Sequence, residues 1–449
     1  MRFTATPTAT LDARSARVAL FNWLLAKRSG GQLVLRIDDS QASDSRVEAA
    51  IVDELRWLGI DWIEGPDAGP SAPYRVSERA HHYRAHAERL LASNDAFVRD
   101  GATYFRMPGG RTVIEDAVAG RSAFDNSELG DTLLLAPDGT ATPVFAAAID
   151  DALMHIDVVL RGVDEIADTP RQLLVAATLD MHAPQYAHFG TIEDGDRTIA
   201  DLRRAGFLGT AVADHLSRLG WAPAGEYEGA TLAELAREFS IERVGRAASG
   251  FDLERLRSVN AREIRALEPI ALRALLAAAM QRVGLLETPI PPPAERWIET
   301  FVEAFGSEIS TIDDALPLIA DLRAESVLVP ALELERLRNR SVLFFLDAVG
   351  QYVDSQAELR GLALSHDLPA IAEEFGLSKE DAFATVRMAL TGSTDGAPLN
   401  LLFPLLGHDR ILIRIGAINS HLLHGRGLEP IKFGPGGVPF ETIAPQPRR

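Results

Sequence analysis

The chain has no cysteine among its 449 residues, which excludes disulfide bonds and thiolate metal sites. Only Lys27, Lys379 and Lys432 are lysines, so the long stretch between the first two offers no ammonium group to any chemistry. No histidine precedes His81. No apolar run approaches the roughly 18 residues of a membrane span, and no charged-then-apolar leader opens the chain. Together these absences give the expectation of a cytoplasmic protein with no membrane partner. Basic residues are outnumbered, and the formal net charge of −19 argues against a general polyanion binder. A local basic groove remains open. The near-exclusive use of arginine reads first as base composition of the gene, although a guanidinium also grips phosphate bidentately. The motifs GxxxxGK[ST], HExxH and GxSxG do not occur. His82 and His86 have the i, i+4 spacing of a metal pair, but with no third ligand they read as a solvated helix face, and no metal site is assigned.

What is present is an ordinary globular composition, 47% hydrophobic, in a chain long enough for several domains. Met1–Thr6 reads as a short strand, Ser15–Arg28 as a helix stopped by Gly30-Gly31, and Gln32–Ile37 as a buried strand. Ser45–Leu58 reads as an amphipathic helix closed by Gly59. This alternation indicates a parallel α/β sheet. Ser77–Ser93 reads as a helix with Ser77 as N-cap. From Phe97 to Thr142 short strands and turns suggest a small inserted domain. The α/β pattern resumes with strands at Phe145–Ile149 and Ile156–Arg161, then a helix capped by Thr169 with Pro170 in its first turn. Beyond Trp221 the pattern is helical, with Pro-rich breaks at Pro289–Pro293 and near Val329-Pro330.

Several segments carry a resemblance. The opening RFTATPTATLDARSARVALFNWLLA, from Arg2 to Ala26, GGQLVLRIDDS, ELRWLGIDWIEGPDAG, PYRVSERAHHY, LRGVDEIADTPRQLLV, GFLGTAVADHLSRLGW, FDLERLRSVN and RMALTGSTDGAPLNLLFPLLGHDRILIRI resemble segments of glutamyl-tRNA synthetases, in that family's order and with similar spacing. These are class I aminoacyl-tRNA synthetases. The resemblance implies an α/β fold with a class I Rossmann-type parallel sheet (1–96 and 143–221), a small inserted domain (97–142) shorter than the family's acceptor-stem domain, and all-α C-terminal domains (222–329 and 330–449). Arg387, Arg410, Arg414 and Arg426 would sit on the anticodon-facing helices.

It also maps a site. The family's amino-acid pocket falls on Arg2, Thr6, Asp38 and Arg161: guanidinium groups for carboxylate, an acidic residue for the α-ammonium. Asp38 is one methylene shorter than the family's glutamate. The family's pocket tyrosine falls on Pro143 and an amide-bearing position on Ala147, while Thr4 and Val144 also depart from the usual pattern. An equal alternative is that Arg2 and Arg161 form internal ion pairs with Asp38, Asp39 or Asp164.

The ATP side departs further. The HIGH signature falls on Asp12, Ala13, Arg14 and Ser15, which places a negative acceptor where a donor stands and side chains where glycines admit the nucleotide. The lysine-bearing KMSKS loop has no counterpart, since EDGDRTIADLRRAGFL runs from Asp194-Gly195 directly to Gly206. Arg197, Arg203 and Arg204 are the only nearby cations, and a solvated helix face is their simpler reading. Glu165 stands for the family's histidine beside Asp164, which keeps the acidic residue.

Three functions follow as expectations. The first is a synthetase-like protein impaired or inactive in glutamate adenylation, with tRNA, a protein partner, or glutamate or another carboxylate as ligand. The second is an active glutamate–tRNA ligase using ATP and magnesium through a diverged site. The third is different chemistry on the carboxylate pocket.

Overall fold

The computed structural model describes residues 1–424 except 42–43, 67, 226–228, 331–332, 334–336 and 357–360. The chain divides into two compact units, Met1–Glu263 and Ile264–Arg449.

The first unit begins with a β-α-β element. Strand β1 (Arg2–Ala5) pairs in parallel with β2 (Val34–Ile37), Arg2 opposite Val34 and Ala5 opposite Ile37, and helix α1 (Ala13–Ser29) connects them. The helix places Ala13, Ala16 and Ala19 beside Leu20, Phe21 and Leu24 in the core, so small residues let it approach closely. It ends because Gly30 takes the left-handed conformation (φ 67°), open to glycine without steric cost, and the Gly31 N–H bonds the Ala26 carbonyl at 2.9 Å. Asn22, fully buried, donates to the Leu160 carbonyl at 2.8 Å and fixes α1 against that later segment.

Helix α2 (Ser45–Trp57) follows, capped by Asp44, and α3 (Ala80–Ala92) comes after a 3-10 turn over Ser77–Arg79. Ser77 is not the N-cap expected from the sequence. Asp39 reaches it instead, accepting from the Ser77 N–H at 2.8 Å and its hydroxyl at 2.5 Å.

The inserted segment is β-rich. Strands β3 (Ala96–Arg99) and β4 (Ala102–Phe105) form an antiparallel hairpin, and β5 (Arg111–Asp116) with β6 (Gly120–Asp125) forms another. A short helix α4 (Asn126–Leu129) precedes β7 (Thr132–Leu135), which pairs with β4.

The strand expected at Phe145–Ile149 is helical: it lies in α5 (Pro143–Leu153). Thr142 caps it, Pro143 opens it, and three consecutive alanines favour helix. The segment is buried almost all round, so it shows no helical period in its apolar residues. Strand β8 (Val158–Gly162) then pairs in parallel with β9 (Gln185–Phe189) across helix α6 (Thr169–Thr178). Asp168, not Thr169, is the N-cap residue of α6. The unit closes with β10 (Ile192–Glu193), α7 (Ile199–Arg204), α8 (Gly209–Ser217), α9 (Leu232–Glu238), β11 (Ser249–Gly250) and most of α10 (Leu253–Ala266).

The second unit is helical in its described residues. It contains α11 (Pro269–Arg282), α12 (Pro292–Phe305), α13 (Ala315–Arg323), α14 (Arg340–Ser355), α15 (Gly361–Glu374), α16 (Lys379–Thr391), α17 (Leu399–Leu406) and α18 (His408–His424). Helices α14 and α18 pack against each other around buried Phe345, Val349, Ile411 and Ile415. Among the described residues no helix is long and apolar enough to cross a membrane.

Candidate functional site

The C-terminal ends of β1, β2 and β8 border a cavity of about 310 Å³, the usual place for a ligand in an open parallel sheet. Arg2, Thr6, Asp38, Arg161 and Ser15 all line it, together with Thr4, Arg36, Pro143, Val144, Ala147, Glu165, Asp168 and Gln172. The sequence-mapped pocket residues therefore converge, although they lie on separate elements. The positions mapped to the ATP side divide: Ser15 reaches the cavity, while Asp12, Arg14, Asp164 and Arg197 do not line it.

Each arginine at the cavity already has protein partners. Arg2 grips Asp151 through Nε at 2.6 Å and Nη2 at 3.0 Å, and its Nη1 donates to the Thr4 hydroxyl at 3.1 Å. The internal pairing anticipated for Arg2 thus exists, but its partner is Asp151 rather than Asp38, Asp39 or Asp164. Arg36 donates from Nε to Asp150 at 2.7 Å. Arg79 and the Tyr83 hydroxyl converge on the same carboxylate at 2.6 and 2.7 Å. Asp150 and Asp151 are fully buried. Burial and the Asp150 charge push the Tyr83 phenol up, so it stays a donor. Sequence reasoning missed Asp150 and Asp151; the signal was two adjacent carboxylates ending an apolar run.

Arg161 is held differently. Its Nε donates to His188 Nε2 at 2.9 Å, and its Nη2 donates to Thr169 Oγ1 at 2.7 Å and Gln172 Oε1 at 3.0 Å. Glu165 approaches Nη1 at 3.5 Å. Because Nε2 faces a guanidinium donor, His188 carries its proton on Nδ1 and gives it to Asp116 at 2.6 Å. Burial alone pushes the Asp116 carboxyl up, but the His188 ring and three backbone N–H groups outweigh it and hold the group below its usual range. Hairpin β5–β6 thereby braces Arg161 through β9.

Asp38 accepts from the Ser40 N–H at 3.2 Å and hydroxyl at 2.6 Å, both on Oδ1, while its Oδ2 stands 3.8 Å from Arg36.

The N-terminus of α1 is occupied by the chain itself. Asp12 is the N-cap, its carboxylate accepting the Ser15 N–H at 2.8 Å. The Ala13 N–H bonds the Arg197 carbonyl at 3.0 Å, and the Ile199 N–H bonds the Leu11 carbonyl at 2.8 Å. Arg14 donates to the Ile192 carbonyl at 2.8 Å and pairs with Asp196. Gly195 makes this closeness feasible: a Cβ there would stand 2.9 Å from Arg14 Cγ and 3.0 Å from Ile192 Cβ. The Arg197 side chain is exposed, Arg203 pairs with Asp53, and Arg204 pairs with Asp201. Asp164 is exposed and curls back over Gly162.

In the second unit the described arginines expected to face RNA hold loop and helix-end carbonyls. Arg387 donates to the Thr394 carbonyl at 2.8 Å, and Arg410 to the Arg323 carbonyl at 2.9 Å. Arg414 is buried and holds the carbonyls of Leu390, Asp321 and Ala324. Arg426 lies outside the described residues. Among the described residues no group of three or more His, Cys, Asp and Glu side chains could hold a metal ion.

Comparison with known proteins places these features in a family. Residues 1–104 and 100–258 match the model for the catalytic domain of class I tRNA synthetases (E and Q), and 269–418 match an anticodon binding domain. The glutamate–tRNA ligase of Desulfitobacterium hafniense is 30% identical over 485 residues, covering 95% of this chain and 99% of that one. That of Desulforudis audaxviator is 31% identical over 484 residues, covering 92% and 95%. Both alignments are longer than the chain, so these relatives carry residues that it lacks. A crystal structure of a glutamate tRNA ligase from Elizabethkingia meningosepticum, in complex with its amino acid, shares the fold: TM-score 0.80 at 20% identity, covering 94% of this chain and 99% of that one. The chain belongs to the class I tRNA synthetases of the glutamate and glutamine type.

Proposed function

We propose that this is a glutamyl-tRNA synthetase-like protein that is impaired or inactive in glutamate adenylation and tRNA charging, and that acts by binding. The observation that carries this reading is the occupied N-terminus of α1. Adenylation requires donors and cations arranged around the phosphates, where charge accumulates in the transition state. Here the Asp12 carboxylate takes a first-turn N–H, the Arg197 carbonyl takes another, and Arg14 is tied to Ile192 and Asp196. A phosphate approaching that helix end meets a carboxylate and a carbonyl instead of donors. The lysine loop that would supply the second cation has no counterpart between Asp194 and Gly206.

The test is glutamate-dependent ATP–pyrophosphate exchange, with and without tRNA and magnesium. Exchange is expected at or near the no-enzyme level, consistent with losses of about 10²–10³-fold for each missing transition-state donor. Asp12→His alone is expected not to restore it, because the loop remains absent. Full exchange by the native chain would establish the active-ligase alternative, and full rescue by Asp12→His would show that the loop is dispensable.

The match of 269–418 to an anticodon binding domain supports tRNA as the partner. With a net charge of −19 that interaction depends on a local basic surface, so filter binding to tRNA is expected to weaken steeply as salt rises. Salt-independent binding, or none, would shift the role to a protein partner.

A further inference from the structure

We propose that the cavity beside β1 and β2 binds a neutral zwitterionic α-amino acid with a small apolar side chain, in preference to glutamate. This rests on reading the cavity as an amino-acid site and names its ligand class.

Charge balance is the first observation. Every guanidinium lining the cavity already faces a carboxylate of the protein: Arg2 meets Asp151 at 2.6 Å, Arg36 meets Asp150 at 2.7 Å and Asp38 at 3.8 Å, and Arg161 meets Glu165 at 3.5 Å. A ligand with net negative charge finds no uncompensated cation, and a charge taken from water without one is strongly disfavoured. A zwitterion carries its own compensation.

Hydrogen-bonding capacity is the second. A guanidinium has five N–H groups. Arg2 commits one to Thr4 and two to Asp151, leaving one on each terminal nitrogen, enough to fork onto a single carboxylate. Asp38 directs Oδ1 to Ser40, and its Oδ2 accepts no hydrogen bond, so it can receive an ammonium group. Both ends of a zwitterion are thereby provided for.

The wall is the third. Phe3, Val18, Pro143, Val144, Ala147 and Leu160 line the remainder. A side-chain carboxylate against them would lose water and gain no donor from these six residues, whereas a methyl or propyl group gains by leaving water. A cavity of about 310 Å³ lies at the small end of ligand sites.

Isothermal titration of the full chain with L-valine, L-norvaline, L-glutamate and propylamine tests this. At least one neutral amino acid is expected to bind tenfold or more tightly than glutamate, with propylamine undetectable for want of a carboxylate. Asp38→Asn is expected to weaken the neutral ligand at least tenfold in protein with an unchanged circular dichroism spectrum. Val144→Lys, at a half-buried position on the wall, is expected to raise glutamate affinity at least tenfold. Glutamate binding as tightly as the neutral ligands, no neutral ligand binding to folded protein, or indifference to both substitutions would each overturn the proposal. Pyrophosphate exchange on the same preparation separates the two readings. Exchange with glutamate removes the impaired-enzyme reading whatever the titrations give; silence in every titration, with no exchange, removes only the ligand proposal.

Discussion

Asp150→Asn is expected to destabilise the first unit by about 3–5 kcal/mol, the cost of leaving buried charge without its partner. Asp150 sits on α5 with no exposed surface and accepts from Arg36, Arg79 and Tyr83 at 2.6–2.7 Å. An asparagine keeps the shape but removes the charge and turns one acceptor into a donor. Two guanidinium groups, 1% and 2% exposed, would then lack a full counter-charge, and one donor would face another. Arg36 is already strained in this sense: its Nη2 is buried with no hydrogen-bond partner. Burial disfavours the Arg36 charge, and Asp150 is the first of the groups that outweigh this and keep it ionised. A drop in the melting temperature of roughly 6–20 °C follows from about 2–4 °C per kcal/mol in domains of this size class. The comparison is Arg46→Ala, which breaks an exposed pair with Asp44 and is expected to leave the melt unchanged. Equal melts for the two variants would mean that the buried cluster contributes nothing to stability. Because β2, the 3-10 turn before α3, α3 and α5 meet at this cluster, the Asp150 variant is also expected to lose the cavity's ligand, a loss that titration at low temperature, where the variant stays folded, would register.

The legibility of these features differs for physical reasons. Helix α1 was readable because its period, its end at Gly30-Gly31 and the strand that follows are local signals. The family pattern brought Arg2, Asp38 and Arg161 to one cavity. Their partners were not readable. Arg2 and Asp151 are separated by 149 positions, and no local pattern announces such a pair. The mistaken strand at Phe145–Ile149 has the same origin, since an apolar run buried on all sides carries no period to distinguish helix from strand. Thr142-Pro143 as cap and first turn put Asp150 and Asp151 at the end of a buried helix, and two carboxylates there demand cationic partners. The arginines of the second unit show the converse. The family pattern sets Arg414 on an anticodon-facing helix, yet burial makes it a structural clamp on three helix-end carbonyls, and burial lowers its pKa to about 10.

The stability of the first unit is expected to fall by about 3 kcal/mol as pH drops from 6.5 to 4 through one residue, His215. The residue lies on α8, is 1% exposed, and places its ring edge-on to Phe251 with centroids 5.1 Å apart. Its Nε2 is buried without a hydrogen-bond partner. Burial foremost, then the Arg255 charge, push its pKa down to about 4 from an ordinary 6.5, while Asp252 opposes them weakly. The unfolded chain therefore takes up a proton between these values and the folded chain does not. The contribution is complete above pH 6.5, declines through the window, and is fully lost below pH 4. Carboxylates such as Asp116, whose folded pKa is also depressed, lose stability at the acid end too, so the wild-type slope alone does not isolate His215. His215→Phe does. It preserves the aromatic edge, removes both the titration and the unpartnered nitrogen, and is expected to match or exceed wild-type stability at pH 7. Urea midpoints at pH 7 and pH 4.5 for the two proteins give the difference. A variant with a pH dependence equal to wild type would show that the folded protein accommodates the protonated ring, most directly by turning Nε2 toward water or Asp252.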